Sequence, residues 1–518
     1  MRMQPAEAVH LADLLAALGG SVLPPSAGRG PALLGVKLDS RAVEPGDLYC
    51  ALVGTQLDGT RYVHDAVKRG AAAILAPREL DVVLRAPTWI HPQARAAAGR
   101  AAALVYGEPA RGMDLVGVTG TNGKTTVAHL VGHLLSTAGR KPAILGTAGN
   151  RLADGVLQQA THTTPDAPAL QRLLRRHQEL GGDCVAMEVS SHALEQERVA
   201  GLAFKAAIYT NLTRDHLDYH GDFEGYARAK QKLFEGLDPD GCAIVNGNDP
   251  HHERMAQAAR ARGAAVVTYG VGSGFGLCAS QLRSDLRGTH LVLSGMGISR
   301  TRLWLPLAGR YNVENALAAA AAALVTGASP STVLEGLATA SSAPGRLEPV
   351  PVDGRGFTVL VDYAHTEDAL KNVLSTLRSA LDEAAAGEDS PTISAPPGRL
   401  IVVFGCGGDR DRGKRAPMGR VVDELADVAI VTSDNPRGED PERILSEIVE
   451  GMAGVRARRE VQVDRRAAIA AAIEEARRGD VVLIAGKGHE TTQTIGSTVH
   501  AFDDRKVASE VLSMAVQA

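Results

Sequence analysis

The sequence predicts an α/β protein of three domains, and three observations carry that reading. A short apolar strand, Leu115, Val116 and Val118, runs directly into a glycine-rich turn and an amphipathic helix. Strand-like and helix-like segments alternate across 111–340 and again across 341–518, as in doubly wound sheets. The chain has 518 residues, enough for three domains of common size.

Residues 1–110 read as a first α/β domain. The N-terminal stretch has a short apolar run, but Glu7, His10 and Asp13 break it. It is expected to form an amphipathic helix and not a signal peptide. Leu48–Val53 and Ala71–Leu75 read as buried strands, and Gln93–Tyr106 as an alanine-rich helix. Leu38-Asp39-Ser40-Arg41 follows a strand-like GVKL and by spacing reads as a helix cap.

Residues 111–340 open on DLVGVTGTNGKTT at 114–126. Gly120, Thr121, Asn122, Gly123, Lys124, Thr125 and Thr126 form the turn. Val127, Leu130, Val131, Leu134 and Leu135 give the following helix one apolar face. Strand, glycine loop and helix N-terminus together form a phosphate-binding arrangement, with N–H groups and the helix dipole facing an anion. Lys124 would reach the outer phosphates and the Thr125 hydroxyl would ligate Mg²⁺. The loop is a variant: Val118 stands where the general pattern has glycine. CVAMEV at 184–189 reads as a strand ending in Glu188, placed either to hold Mg²⁺ or to pair with a neighbouring cation. AAIYTN at 206–211 is another strand. It leads into Asp215, His216, Asp218 and His220, which read as metal ligands or as a polar loop. Lys230, on a helix at 226–234, reads as a solvated lysine, and the helix at 315–325 reads as scaffold.

Residues 341–518 form the third unit. Ser341–Arg346 reads as a linker. Strands are expected at 358–361, 400–404, 428–431 and 481–485, with the polar loops at their carboxyl ends, where open α/β sheets bind ligands. Residues 384–398 read as a low-complexity insert.

Composition excludes several classes. A net charge of −4 and 3% aromatic residues offer no nucleic-acid surface. No apolar run reaches membrane-spanning length. Five cysteines without C-x-x-C spacing give no zinc site and suit a reducing cytoplasm.

These loops together resemble the Mur ligase family of peptidoglycan synthesis. The segments are LDSR at 38–41, GVTGTNGKTT at 117–126, EVSSHAL at 188–194, NLTRDHLDYHG at 211–221 and YARAKQKLF at 226–234. They continue with APGR at 343–346, VDYAHT at 361–366, FGCGGDRDRGKR at 404–415, SDNPRGEDP at 433–441 and AGKGHE at 485–490. The resemblance implies a UDP-substrate domain, a central ATPase domain and a Rossmann-like amino-acid domain. It implies ATP and Mg²⁺, with UDP-N-acetylmuramoyl-L-alanyl-D-glutamate and meso-2,6-diaminopimelate as substrates of a monomeric cytoplasmic ligase.

By the same resemblance, Leu38, Ser40 and the Thr55-Gln56-Leu57 segment would bind the UDP part. Thr163, Thr164, Ser190, Gln196 and Arg198 would hold the muramoyl-dipeptide part. Gly120–Thr126, Asn315, Arg346 and Asp362 would bind ATP. Lys124, Glu188, His216 and Lys230 would be catalytic, with Lys230 carbamylated so that it joins Thr125, Glu188 and His216 around Mg²⁺. Arg410, Asp434, Asn435, Pro436, Arg437, Gly486 and Glu490 would bind the amino acid. By spacing alone, Asp434–Arg437 is an Asx–Pro turn. His162 departs from the family's asparagine, which puts one substrate contact in question. Glu367 departs from its proline and is expected to loosen that turn. A lysine-adding or folylpolyglutamate-type ligase on the same scaffold is the alternative, and a nucleotide-dependent switch protein a third reading.

Overall fold

The computed structural model describes residues 8–24, 28–54, 57–352, 354–386, 398–454 and 456–514. Three sheets, each with its own apolar core, carry the chain. The first holds Ser21–Leu23, Thr88–Ile90, Ala73–Ala76, Asp47–Cys50 and Gly35–Lys37, in that spatial order. Its last three pairings are parallel. Helices Leu11–Leu18 and Ala94–Val105 bury Leu14, Ala98 and Ala102 against Leu48 and Leu75. Asp39 caps a single turn, Ser40–Ala42, by accepting from the Arg41 N–H at 2.9 Å, as the spacing predicts.

The central sheet has eleven strands. Its middle is parallel: Pro142–Gly146, Cys184–Glu188, Asp114–Thr119, Phe204–Tyr209, Leu237–Asn246 and Ala265–Val271. Alternate residues serve opposite faces. Val116, Val118, Ala186 and Ile208 meet Leu130 and Leu134 of helix Lys124–Thr137 and the alanines of helix Arg310–Val325. Leu115, Val185, Met187 and Tyr209 serve the other face. The expected strand–helix alternation fails at the far edge. Leu277–Asp285, Gly288–Gly295 and Ile298–Leu305 form an antiparallel meander. Asp285 accepts from the N–H groups of Arg287 and Gly288, which closes a turn far too short for a crossover helix.

The third sheet orders Glu348–Val350, Thr358–Asp362, Val481–Ala485, Leu400–Phe404, Val428–Thr432 and Arg458–Gln462, parallel after the first. The expected strands are present, and the edge strand Arg458–Gln462 is an addition. Glu367 directly follows that turn. It opens helix Glu367–Ala386, where Thr366 accepts from the N–H groups of Ala369 and Leu370. Glu367 and Asp368 in the first turn suit the positive end of the helix dipole. Most of the low-complexity stretch, 387–397, lies outside the described residues, as do Thr55 and Gln56. No helix among the described residues is long and apolar enough to cross a membrane.

The last helix, Asp504–Met514, is tied down by a fully buried ion pair. Arg465 Nε and Nη2 donate to the two Asp504 oxygens at 2.8 and 2.6 Å, and Nη2 also meets the Ala485 carbonyl. Removing one partner strands the other charge in an apolar interior. Arg465→Met is therefore expected to destabilise the third domain by about 3–5 kcal/mol. The double change Arg465→Met/Asp504→Leu should recover most of that loss, as read by urea unfolding.

Candidate active site

The glycine turn is held by the end of the neighbouring strand. The Thr121 N–H donates to the Asn211 carbonyl and the Asn122 N–H to Asn211 Oδ1, both at 2.9 Å. Thr210 Oγ1 donates to the Asn122 carbonyl at 2.6 Å. Thr121 Oγ1 accepts from the Thr213 N–H at 3.0 Å. Such contacts need glycine at two points. A Cβ on Gly120, at φ 153°, would sit 1.8 Å from Thr210 Oγ1. One on Gly123, at φ 88°, would sit 2.5 Å from Asn315 Oδ1. Asn315 is thus part of the loop's wall, and its helix is more than scaffold.

Lys124 turns back on the loop and donates to the carbonyls of Gly120 and Thr121 at 3.0 and 2.9 Å. Burial holds its pKa below the usual lysine value, while Glu188 and Asp215 act against that shift. Arg346 crosses from the third domain, donates to Thr125 Oγ1 at 3.1 Å, and stacks over the Tyr363 ring. Asn122 Nδ2 donates to Asp368 Oδ2 at 2.9 Å, a second bond between the two domains. Asp362 accepts from the N–H groups of Leu347 and Ala364, both at 2.7 Å, and burial raises its pKa. A cavity of 240 Å³ gathers these groups: Asn122–Thr126, Thr163, Glu188, Ser190, His216, Asn315, Arg346 and Asp362 line it.

Glu188 is 2% exposed and makes no ion pair among the described residues. Its carboxylate accepts from the Thr147 N–H at 2.8 Å and the Thr147 hydroxyl at 3.1 Å. A Cβ on Gly146 would meet Glu188 Oε1 at 2.2 Å. Gly146 and Thr147 therefore seat the carboxylate, and nothing in their spacing signals it. Lys230 is not a solvated lysine: it is 1% exposed, with Nζ 4.2 Å from the Tyr226 ring centroid. Burial first, then the charge of Lys124, drives its pKa well below the ordinary lysine value. His216 adopts φ 54° and packs edge-on against His192. Burial lowers its pKa, and Asp215 at 3.4 Å opposes the shift.

Thr125 Oγ1 and Glu188 are hard oxygen donors beside the anion loop, a set that fits Mg²⁺. The described residues hold no group of three or more His, Cys, Asp and Glu that would bind a metal by itself. Among the described residues the 215–220 loop holds no such group, the Asp218 side chain lying outside them, and further ligands would come from phosphate, water or a modified Lys230.

Thr164 and Arg198 sit together, Arg198 Nη1 donating to the Thr164 carbonyl at 2.8 Å. Arg198 also grips Gln196 Oε1, and Gln196 reaches the Tyr219 hydroxyl. The Thr164 hydroxyl is engaged on both sides: it donates to the Glu188 carbonyl and accepts from the Ser190 N–H. It fixes strand ends, whereas Thr163 faces the cavity. His162 lies exposed beside Thr161 Oγ1. Leu38, Ser40 and Leu57 line a separate cavity of 690 Å³, between the first domain and helix Ala167–Glu179. Arg95 and Arg172, which sequence reasoning passed over, line it too.

The third-domain loops form one further group. Arg437, at φ 51°, donates from Nη1 to the Gly408 carbonyl at 2.9 Å. It makes no ion pair among the described residues. Asn435 Nδ2 donates to Glu490 Oε2 and Asp434 Oδ1 at 2.9 and 3.2 Å. Gly486, at φ 117°, passes close to Asp434. Arg410 is exposed and bonds only to the Asp409 carbonyl among the described residues. Tyr363 stands between this group and the first cavity. It feels the charges of Glu490, Asp434 and Glu188, and burial raises its pKa.

Three family models match the chain in succession. They are the Mur ligase catalytic domain at 33–106, the Mur ligase middle domain at 118–323 and the glutamate ligase domain at 345–488. A UDP-N-acetylmuramoyl-L-alanyl-D-glutamate–2,6-diaminopimelate ligase of Syntrophomonas wolfei is 42% identical, covering 92% of this chain and 94% of its own. One from Synechococcus elongatus is 41% identical, covering 98% and 99%. The chain belongs to the Mur ligase family. A solved structure of a 2,6-diaminopimelate ligase with the same name superposes at TM-score 0.68, with 33% identity and 99% and 100% coverage. The Thermotoga maritima MurF ligase in complex with ADP shares the fold at TM-score 0.60 and 17% identity, covering 93% and 96%.

In this Mur ligase the side chains that seat Glu188 are open to test. Thr147→Val keeps the N–H bond and removes the hydroxyl. It is expected to lower kcat by on the order of tenfold, the worth of one hydrogen bond to a charged group. Phosphate release by the folded variant measures it, and a wild-type rate would refute the assignment.

Proposed function

We propose that this chain joins an amine of meso-2,6-diaminopimelate to the D-glutamyl side carboxylate of UDP-N-acetylmuramoyl-L-alanyl-D-glutamate, with hydrolysis of ATP to ADP and phosphate. Residues 1–110 bind the UDP end, 111–340 carry the phosphate chemistry and 341–518 bring the amino acid. The observation that carries the reading is Arg437. It is an arginine without an ion pair among the described residues, bonded to the carbonyls of Gly408 and Asn435 in the loop that carries Asp434, while Tyr363 lies between the charges of Asp434 and Glu490 and the cavity of the phosphate loop.

A carboxylate at neutral pH is a poor acylating agent. The N–H groups of the 120–126 loop and Lys124 bind the phosphates, and Arg346 adds charge from the third domain. The substrate carboxylate, held near Thr163 and Arg198, takes the γ-phosphoryl group to become an acyl phosphate, and ADP leaves. The amine then attacks the acyl carbon through a tetrahedral intermediate, and phosphate departs as the amide forms. Positive groups placed on the phosphoryl oxygens supply most of the rate enhancement. No protein nucleophile is needed. Mg²⁺, held by Thr125, Glu188, His216 and a modified Lys230, would neutralise the phosphate oxygens.

Lys230 suits its modification. Its lowered pKa favours the neutral amine, the form that attacks CO₂; the amine nitrogen bonds to carbon, and a proton is released. The product carbamate replaces a cation that repels Mg²⁺ with an oxygen ligand. In the third domain, Arg437 offers a planar fork to the far carboxylate of diaminopimelate, and Asp434 and Glu490 face its ammonium. Lysine would leave the fork empty, a defect that costs on the order of 10⁴-fold in discrimination. The protein acts as a soluble monomer of the cytoplasm.

Arg437→Lys is expected to abolish most diaminopimelate use while ATP binding persists. Amide formation with diaminopimelate and with lysine measures it, and unchanged kcat/KM would refute the fork. Lys230→Ala is expected to be inactive with or without added bicarbonate, because no amine remains to modify. An active variant would remove Lys230 from the metal site.

A further inference from the structure

Behind Asp434 and Glu490 lies a lysine that the reading above does not use. Lys487 is 0% exposed, on the loop after strand Val481–Ala485. Its Nζ lies 3.0 Å from Glu490 Oε2, 3.4 Å from Asn435 Oδ1 and 3.6 Å from Asp434 Oδ1. Asn435 locks the arrangement. Both its N–H bonds go to the two carboxylates, and its Oδ1 accepts from the Thr494 N–H at 2.9 Å. The nearby Arg465 is committed to Asp504.

The charges in this group do not cancel. Asp434 and Glu490 share the Lys487 ammonium, which leaves one negative charge on this wall, counted apart from Arg437, whose guanidinium bonds to backbone carbonyls. Lys487 and Asp434 are buried, while the Glu490 side chain is 32% exposed. A surplus charge on so partly desolvated a wall is relieved when a partner neutralises it, and one ligand ammonium would do so. Without Lys487 the same wall would hold two negative charges side by side, and they would repel one another and splay the loops. With Lys487 but one acid fewer, the wall would be neutral and would hold no cation.

We infer that Lys487 is a positioning and specificity residue for the incoming amino acid, setting the pocket wall to a single negative charge that accepts one ligand ammonium. This rests on the amino-acid pocket assignment above. Lys487 acts through Asp434, Asn435 and Glu490 and touches no reacting atom.

A double-mutant cycle tests it on the full chain, with meso-diaminopimelate, the UDP-dipeptide and ATP each varied in turn. Lys487→Met makes the wall doubly negative, Glu490→Gln makes it neutral, and the double variant restores the single charge. Each single change is expected to raise KM for diaminopimelate by about tenfold or more, with KM for ATP nearly unchanged. The double variant should fall below both singles, since coupled charges are not additive. Lys487→Gln, which keeps a donor without the charge, should behave like Lys487→Met, and thermal unfolding identifies the variants that fold. If the double is worse than either single, or if Lys487→Gln binds diaminopimelate as the wild type does, Lys487 is a packing strut and the inference falls. Arg437→Lys run alongside separates the two proposals. If it leaves diaminopimelate use intact, the pocket assignment itself is wrong. If it abolishes that use while the cycle is additive, only the role of Lys487 is lost.

Discussion

The close approach of the 120–123 backbone to the end of strand Phe204–Tyr209 is the constraint on which the site depends. Thr210 and Asn211 occupy the space that side chains on the loop would take, and they bond to its peptide groups. The loop is thereby fixed before any anion arrives, so little ordering is left to do on binding. The same strand end continues into Thr213, Arg214 and His216. Arg214 reaches Asp411 of the third domain at 3.6 Å, so the segment that shapes the loop also touches the opposite wall.

Charge is distributed unevenly over the molecule. Arginines with structural roles are ion-paired: Arg140 with Asp114 and Asp183, Arg399 with Asp480, and Arg415 with Glu439 and Glu447. Lys124, Arg346 and Arg437 make no ion pair among the described residues and bond instead to carbonyls, hydroxyls or ring faces. A cation held by neutral groups keeps its charge available for an anionic ligand. Backbone strain follows the same map. Of eight non-glycine residues at positive φ among the described residues, Glu197, His216, Leu347, Asp409 and Arg437 lie at or beside the site.

Reading the sequence located the glycine loop, its strand and its helix, because their glycine spacing and apolar periodicity are local, although the partners that hold the loop lie far along the chain. It also located the loops at strand ends that carry the polar groups. It misjudged Lys230 and the helix of Asn315. Both sit on helices whose polar and apolar spacing is ordinary; Lys230 is buried over the Tyr226 ring and Asn315 against Gly123 of the loop, and spacing shows neither. The meander at 277–305 was missed for a related reason. Short apolar runs look alike whether a helix or a two-residue turn follows.

Local order was thus written in the chain itself: the cap at Asp39, the turn glycines and the alternation of apolar residues each act over a few positions. Tertiary structure alone decided which carboxylates stay free of cations. It decided that Thr147 seats Glu188, that the Thr164 hydroxyl is spent on strand ends, and that Lys487 lies between Asp434 and Glu490. Those outcomes depend on distances of a few ångströms between remote segments, and both burial and Coulomb energy change steeply over that range. No spacing along the chain encodes such a distance, because parallel sheets bring strand ends together across whole intervening helices.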